Sequence, residues 1–379
     1  MSGPLPERLR FLAIPMAWAY GIGVRVRNAR FDAGSGVREL PVPVISIGNI
    51  TAGGTGKTPF VAWTAAALRQ RGHHPVIGMR GYGAAPGERG DEELEYAAIL
   101  PQVPVVAHPD RHAALTRYLT TRSSRPVDAP NPDCVILDDG FQHRQLRRDL
   151  DIVLIDAQRP GLDGRLLPSG WLREPASGLR RASAVVVTRS DQQSMGALAE
   201  SITRLHGKAP IAWTQHAWRR LERHGEGGKD SLPVSWLRGK RITLLAGVGN
   251  PGSVRRAAEA EGATIAGEVS APDHVQVTET LVRRAIVAAA GSDALLVTRK
   301  DWVKLARHFA TVGGLPRDTP PWIVPDLAIE FVEGPDGTMG DERMLAILRA
   351  AIARPASASG AESPAATSAI VTATASVTK

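Results

Sequence analysis

Val42-Pro43-Val44-Ile45-Ser46-Ile47-Gly48-Asn49-Ile50-Thr51-Ala52-Gly53-Gly54-Thr55-Gly56-Lys57-Thr58 is the stretch on which the reading of this chain turns. Residues 42–47 form a short β-branched run, the glycine-rich segment after it breaks any regular element, and a helix is predicted from Thr58 to about Arg71. Strand, glycine turn and helix in that order let backbone N–H groups turn inward around an anion. The helix amino terminus behind them adds a favourable dipole. Thr51, Ala52, Gly53, Gly54, Thr55, Gly56, Lys57 and Thr58 are therefore the candidate phosphate-binding residues. Lys57 is expected to reach the β- and γ-phosphates of a nucleoside triphosphate, ATP in the first instance. Thr58 offers its hydroxyl to Mg2+, a hard cation that takes oxygen ligands. The strict loop pattern opens on glycine where this chain has Thr51, a departure that leaves the chemistry of the loop intact.

Similar apolar runs recur at residues 76–79, 103–107, 135–137, 152–155 and 184–188, separated by amphipathic stretches. This alternation predicts an α/β fold with a mostly parallel sheet of the P-loop NTPase type, and the six runs could share one sheet. Cys134-Val135-Ile136-Leu137-Asp138-Asp139 ends in two carboxylates directly after a strand, which is where such a fold places the group that holds the metal or its waters. Asp138 is the first candidate metal ligand and Asp139 the second. A polar stretch with three glycines, residues 222–231, precedes a second series of strand-like runs at 242–248, 264–269, 294–298 and 322–324. The chain is accordingly divided into an N-terminal segment (1–40), a P-loop core domain (41–230), a smaller α/β domain (231–353) and a low-complexity tail (354–379).

Composition limits the partners. With 379 residues, 43% of them hydrophobic and 22% charged, the chain can fill two packed domains. A net charge of +8 favours anionic partners, but the arginines are scattered, aromatic residues are 5%, and no stacking or recognition-helix pattern is present, so nucleic acid is not expected. Cys134 is the only cysteine, which excludes an intramolecular disulfide and a thiol-built metal cluster and leaves it as a small buried hydrophobe. Residues 11–24 are uncharged and apolar, and Ala17-Trp18-Ala19 within them matches a signal-peptidase pattern. That stretch is shorter than the roughly 20 residues that span a bilayer. With Trp18 and Tyr20 inside it and Arg8, Arg10, Arg25, Arg27 and Arg30 around it, it has the make-up of a membrane-interface helix; the alternative is a first helix packed on the protein's own core.

Gly48-Asn49-Ile50-Thr51-Ala52-Gly53-Gly54-Thr55-Gly56-Lys57-Thr58-Pro59, including its non-glycine start, resembles the loop of the tetraacyldisaccharide 4'-kinase family. Arg80-Gly81-Tyr82-Gly83, Gly90-Asp91-Glu92-Glu93, Asp138-Asp139-Gly140-Phe141-Gln142-His143 with Arg148-Asp149-Leu150, Leu166-Leu167-Pro168, Leu172-Arg173-Glu174-Pro175, Pro272-Asp273-His274 and Lys300-Asp301 follow in that family's order. The likeness covers roughly residues 6–353. Two positions depart from the family pattern: Val275 where a second aromatic or histidine usually follows His274, and Glu93 where proline often stands.

The resemblance implies transfer of the ATP γ-phosphate to the 4'-hydroxyl of a tetraacylated glucosamine disaccharide 1-phosphate, a lipid A precursor. It also implies work at the cytoplasmic face of a bacterial inner membrane, with peripheral contact through the N-terminal helix and no obligate protein partner. A sugar hydroxyl is a poor nucleophile, and a carboxylate that accepts its proton would orient and activate it. The resemblance picks out Asp91 for that role and His274 as its partner, with Lys57 completing the catalytic set. Arg80, Gln142, His143 and Arg173 become the candidate contacts to the acceptor, and Arg111 and Arg147 are further candidates for balancing phosphate charge. The competing expectation is a nucleotide-switched membrane- or partner-binding P-loop ATPase, distinguished by turnover that does not depend on an acceptor lipid.

Overall fold

The protein is described here by a computed structural model covering residues 10–81, 89–121, 130–190, 195–225, 227–247, 251–270 and 277–353. His274 with its neighbours Pro272 and Asp273, the Tyr82-Gly83 pair and the tail 354–379 lie outside the described residues. The chain opens with α1 (Arg10–Asp32) and then runs β1 (Val44–Gly48), α2 (Lys57–Arg69), β2 (Pro75–Met79), α3 (Asp91–Ile99), β3 (Val105–Ala107) and α4 (Arg111–Thr120). It continues through β4 (Cys134–Asp138), β5 (Leu150–Asp156), β6 (Ala184–Thr188), α5 (Met195–His206), β7 (Ala212–Gly225) and β8 (Gly228–Leu232). The last third holds β9 (Arg241–Ala246), α6 (Pro251–Ala260), β10 (Thr264–Ser270), α7 (Glu279–Ala288), β11 (Ala294–Val297), α8 (Arg299–Thr311), β12 (Trp322–Val332) and α9 (Asp341–Ile352).

The first six strands lie in the order β6-β5-β1-β4-β2-β3 and pair in parallel. β1 sits in the middle because both of its faces are covered: all five of its residues are buried, as expected of a strand between two helical layers. On one face Ile45 and Ile47 join Ile136, Ile152 and Leu154 in a core closed by Phe60, Val61, Ala65 and Leu68 of α2. The opposite face carries Val153, Ile155, Val185 and Val187 against Leu198 and Ile202 of α5. Met344, Leu348 and Ala351 of α9 return from the end of the chain to the first of these cores.

The second strand series is joined to the same sheet. β10, β9 and β11 pair in parallel and meet β12, which runs antiparallel to β7 from Trp322 opposite His224 to Val332 opposite Trp213. Of residues 222–231, expected as a polar connection, 222–225 belong to β7 and 228–231 to β8, which pair antiparallel with Arg223 bonded to Asp230 across them. Cross-strand ion pairing and an exposed setting accommodate polar residues in strands that a hydrophobic pattern does not reveal.

Helix α1 extends from Arg10 to Asp32 with Pro15 inside it, well past the expected apolar stretch. No helix among the described residues is long and apolar enough to cross a membrane.

The centre of the sheet is packed to contact distance. A Cβ added at Gly48, the last residue of β1, would lie 2.6 Å from both the backbone nitrogen and the Cβ of Phe141. The segment after β4 therefore passes directly over the end of β1. Gly48→Ala is expected to destabilise the fold by about 1–3 kcal/mol, the usual penalty for overpacking against backbone, read as a lower urea midpoint at unchanged slope.

Candidate active site

Parallel pairing sets β1 and β4 level, with Ile47 opposite Asp138, so the glycine loop leaving β1 and the carboxylates leaving β4 emerge side by side at the carboxyl ends of the strands. Ligands of open α/β sheets bind at this edge. The loop ends at Gly56, which has φ +81 and caps α2 without a side-chain hydrogen bond, leaving the first backbone N–H groups of the helix free to face an anion. A Cβ on Gly56 would stand 2.7 Å from Nε2 of His216, so both conformation and space require glycine there. Lys57 is the first residue of α2, and Nζ lies 3.2 Å from Oδ1 of Asn49 and 3.4 Å from Oδ1 of Asp139.

The two adjacent carboxylates are held differently. Asp139 has φ 50, a left-handed conformation rare for a residue with a side chain. Nη1 of Arg173 donates to both of its oxygens, at 2.7 and 2.6 Å, so one nitrogen is shared between them. Burial pushes the Asp139 carboxyl up, but Lys57 and Arg173 outweigh it and hold the group below the usual carboxylate range. Asp138 is buried and accepts one hydrogen bond, from the Tyr96 hydroxyl at 2.9 Å, while its Oδ1 has no partner among the described residues. Burial pushes its carboxyl up to about 6, with Lys57 acting in the opposite direction. Arg111, buried at the start of α4, donates to the carbonyls of Asp138 and Asp139 and fixes the turn between them.

A buried carboxylate oxygen without a donor is an unsatisfied site that a hard cation completes. Thr58 lies near this group, close enough for its side chain to act on Tyr96, whose hydroxyl donates to Asp138. Asp138 and Thr58 therefore fit Mg2+, and Asp139 lies within reach of the phosphate-side lysine.

The remaining expected site residues are placed as follows. Gln142 donates to the carbonyl of Asn49 at 2.9 Å and to Oε1 of Glu174 at 2.7 Å, tying the loop to the segment that carries Arg173. His143 has a buried Nε2 with no partner among the described residues, and burial pushes its pKa down to about 4, reinforced by Arg111 and Arg148. It is neutral at physiological pH. Arg80 follows the last residue of β2 on the same edge and is exposed. Asp91 begins α3. Arg147 pairs with Glu39 and does not join the group around Asp139.

Sequence reasoning assigned no role to several residues that shape this edge. Glu174 is fully buried and takes Arg181 on both oxygens, while the Arg181 guanidinium stacks 3.7 Å over the Phe141 ring. Arg189, just past β6 at φ 53, bonds Asp156 and the carbonyl of Gly54. Thr188 donates to the carbonyl of Thr55 at 2.8 Å. Thr188 and Arg189 could be noticed only by position, at the end of the apolar strand β6, and Glu174 only by its place in Leu172-Arg173-Glu174-Pro175.

The Asp138 environment makes a pH prediction for the metal-free protein. A carboxyl with a folded pKa above its unfolded value favours the folded state when protonated, so that contribution is complete below about pH 4 and is lost as pH rises through about 6. Asp138→Asn is expected to be more stable than wild type by about 1–3 kcal/mol at pH 8, with the difference vanishing near pH 4 in urea unfolding. A difference independent of pH overturns this reading of the site.

The chain matches known proteins over most of its length. A family model described as tetraacyldisaccharide-1-P 4'-kinase matches residues 9–336. The tetraacyldisaccharide 4'-kinase of Geobacter sulfurreducens is 38% identical over 317 residues, covering 79% of this chain and 85% of that protein. One from an Anaeromyxobacter species is 38% identical over 322 residues, covering 78% and 83%. In three dimensions the chain is similar to Aquifex aeolicus LpxK solved with ATP, at a TM-score of 0.65 and 27% identity over 91% of this chain and 99% of that one. With a family model spanning most of its length and relatives of this similarity, the chain belongs to the tetraacyldisaccharide 4'-kinase family.

Proposed function

We propose that this chain transfers the γ-phosphate of ATP to the 4'-hydroxyl of a tetraacylated glucosamine disaccharide 1-phosphate, the activity for which its relatives are named. The observation that carries the proposal is the meeting of the glycine loop with Asp138, a buried carboxylate with an unpartnered oxygen, beside Asp139 held between Lys57 and Arg173. Residues 51–58 take the phosphates, Lys57 neutralises charge that accumulates on them, and Thr58 and Asp138, with Asp139 nearby, hold Mg2+. Once bound there, the ion shields the phosphate oxygens. Asp91 accepts the proton of the attacking hydroxyl, with His274 as its partner. Arg80, Gln142, His143 and Arg173 face the acceptor side. In this reading residues 41–230 bind the nucleotide, and His274 belongs to the 231–353 domain.

Helix α1 supports a membrane-interface site. Its protein-facing side is made of small or slender residues, Ala13, Ala17, Gly21 and Val24, and a Cβ on Gly21 would come 2.8 Å from Leu166. Its large apolar residues point outward: Trp18 is 73% exposed, and Ile14, Met16, Tyr20, Ile22 and Val26 are exposed with it. A core helix buries its large side chains and exposes its small ones; this helix does the reverse. Ile14, Trp18 and Ile22 then enter the head-group region, while Arg25, Arg27 and Arg30 meet anionic lipid at the cytoplasmic leaflet.

Purified protein given ATP, Mg2+ and the disaccharide 1-phosphate should yield an acceptor heavier by one phosphate, read by mass spectrometry. Lys57→Ala should abolish the reaction with the fold intact, and Asp91→Asn should lower kcat by roughly 10²- to 10⁴-fold with ATP affinity nearly unchanged. ATP turnover that ignores the acceptor would instead identify a nucleotide-switched ATPase.

Salt should release only part of the protein from membranes, with detergent required for the remainder. Trp18→Ser together with Ile22→Ser should shift it to the soluble fraction, and complete release of wild type at low salt would leave α1 no membrane role.

A further inference from the structure

We infer that Lys304 is a positioning residue for Asp91, holding the carboxylate in place from the opposite half of the sheet. The inference rests on the reading of Asp91 as the general base. Nζ of Lys304 lies 3.5 Å from Oδ2 of Asp91, and the two side chains are exposed to very different degrees, 8% for Lys304 and 41% for Asp91. A lysine that is almost entirely withdrawn from water needs an anion within reach, because an unpaired ammonium in such a place is costly. Asp91, on the rim, keeps open access to an incoming hydroxyl.

The lysine is mounted on a rigid support. Helix α8 buries Trp302, Leu305 and Phe309 in the core beneath β11 and β12. Its amino terminus is fixed by Thr298 and Asp301: Asp301 accepts from the Thr298 hydroxyl at 2.7 Å and from the backbone N–H of Gly247 at 3.0 Å. Arg299, one turn before Lys304, donates to Glu222 of β7 at 2.7 Å with both side chains nearly buried. Asp91 has no comparable support on its own element. It is the first residue of α3, capped by Gly90 without a side-chain hydrogen bond, and the first turn crowds three carboxylates, Asp91, Glu92 and Glu93. Glu93 is drawn to Arg89 at 3.3 Å, and Asp91 to Lys304. Since α3 lies between β2 and β3 while α8 lies between β11 and β12, the contact spans the two strand series. The aim of the base is therefore set by the half of the molecule that does not carry the P-loop.

Position matters steeply in such a site, since a displacement of about 1 Å can cost on the order of 100-fold in rate. Lys304→Met, close in volume and free of charge, is expected to lower kcat by about 10- to 100-fold while leaving the KM for ATP within about twofold. Lys304→Arg should restore most of the rate. In the Asp91→Asn background, Lys304→Met should add little, since a residue that acts through another is non-additive with it. Melting temperatures are compared throughout, and should Lys304→Met fold poorly, Lys304→Gln carries the same test. A loss from Lys304→Met that multiplies fully with Asp91→Asn would show that the ammonium acts on the phosphates directly and would overturn the inference. Normal kcat in Lys304→Met alongside a slow Asp91→Asn would overturn it while leaving the base in place. A normal Asp91→Asn would remove the base itself, and the inference with it.

Discussion

Two carboxylates on adjacent residues at the end of a buried strand cannot both be ionised in a dry pocket unless cations meet them, and the active edge of this protein is organised around that constraint. Asp139 is satisfied by Arg173 and Lys57, and among the described residues Asp138 is left with one hydrogen bond and one oxygen without a partner. The asymmetry divides the pair: one carboxylate is committed to ordering the basic residues, the other is left open to a divalent ion. The left-handed backbone at Asp139 turns the two side chains apart, and Arg111 fixes that turn through the two carbonyls.

The scaffold behind the pair is ionic as well. Glu174, with no exposed surface, takes Arg181 and Gln142, and Arg181 stacks on Phe141, so the segment bearing Arg173 is locked to the segment that follows β4. The hydroxyl of Tyr20 on α1 reaches the carbonyl of Arg173 at 2.6 Å, and the backbone N–H of Arg173 donates to the carbonyl of Ile50 at 2.8 Å. Helix α1, the arginine and the phosphate loop are thus consecutive links of one hydrogen-bonded chain. Removing Glu174, which has no exposed surface, would take from Arg181 and Gln142 the acceptor they share, and a buried donor left unpaired costs more than its bond contributed.

The parts of this architecture that were readable from sequence were those set locally. β1, β2, β4, β5 and β6 are short, mostly apolar runs, and their limits fall within a few residues of the pattern. Lys57 and Thr58 stood out as candidates because a glycine loop between strand and helix admits few chemistries, and Asp138 because it ends an apolar strand. β7 and β8 were not legible: Arg219, Arg220 and Arg223 of β7 face solvent, and its apolar content is low. Nor was the single sheet, since the β7–β12 pairing joins segments far apart in the chain and leaves no periodic trace in either one. The full length of α1 was missed because the apolar stretch stops at Arg25 while the helix continues through the arginines to Asp32, and the close seat on Leu166 calls for a small residue at Gly21. Lys304 could not be linked to Asp91 because nothing in either local sequence refers to the other.

The long antiparallel ladder between β7 and β12 has a consequence for biosynthesis. β7 is complete at Gly225 and its partner does not begin until Trp322, so a nascent chain carries one whole side of β7 unpaired while β9, β10 and β11 are made. An open strand edge of that length is a template for pairing with other chains. Arg219, Arg220 and Arg223 space positive charge along it, a means of discouraging such pairing until the proper strand arrives. The first core also waits for α9 to supply Met344, Leu348 and Ala351, so the P-loop half is finished only when α9 has left the ribosome.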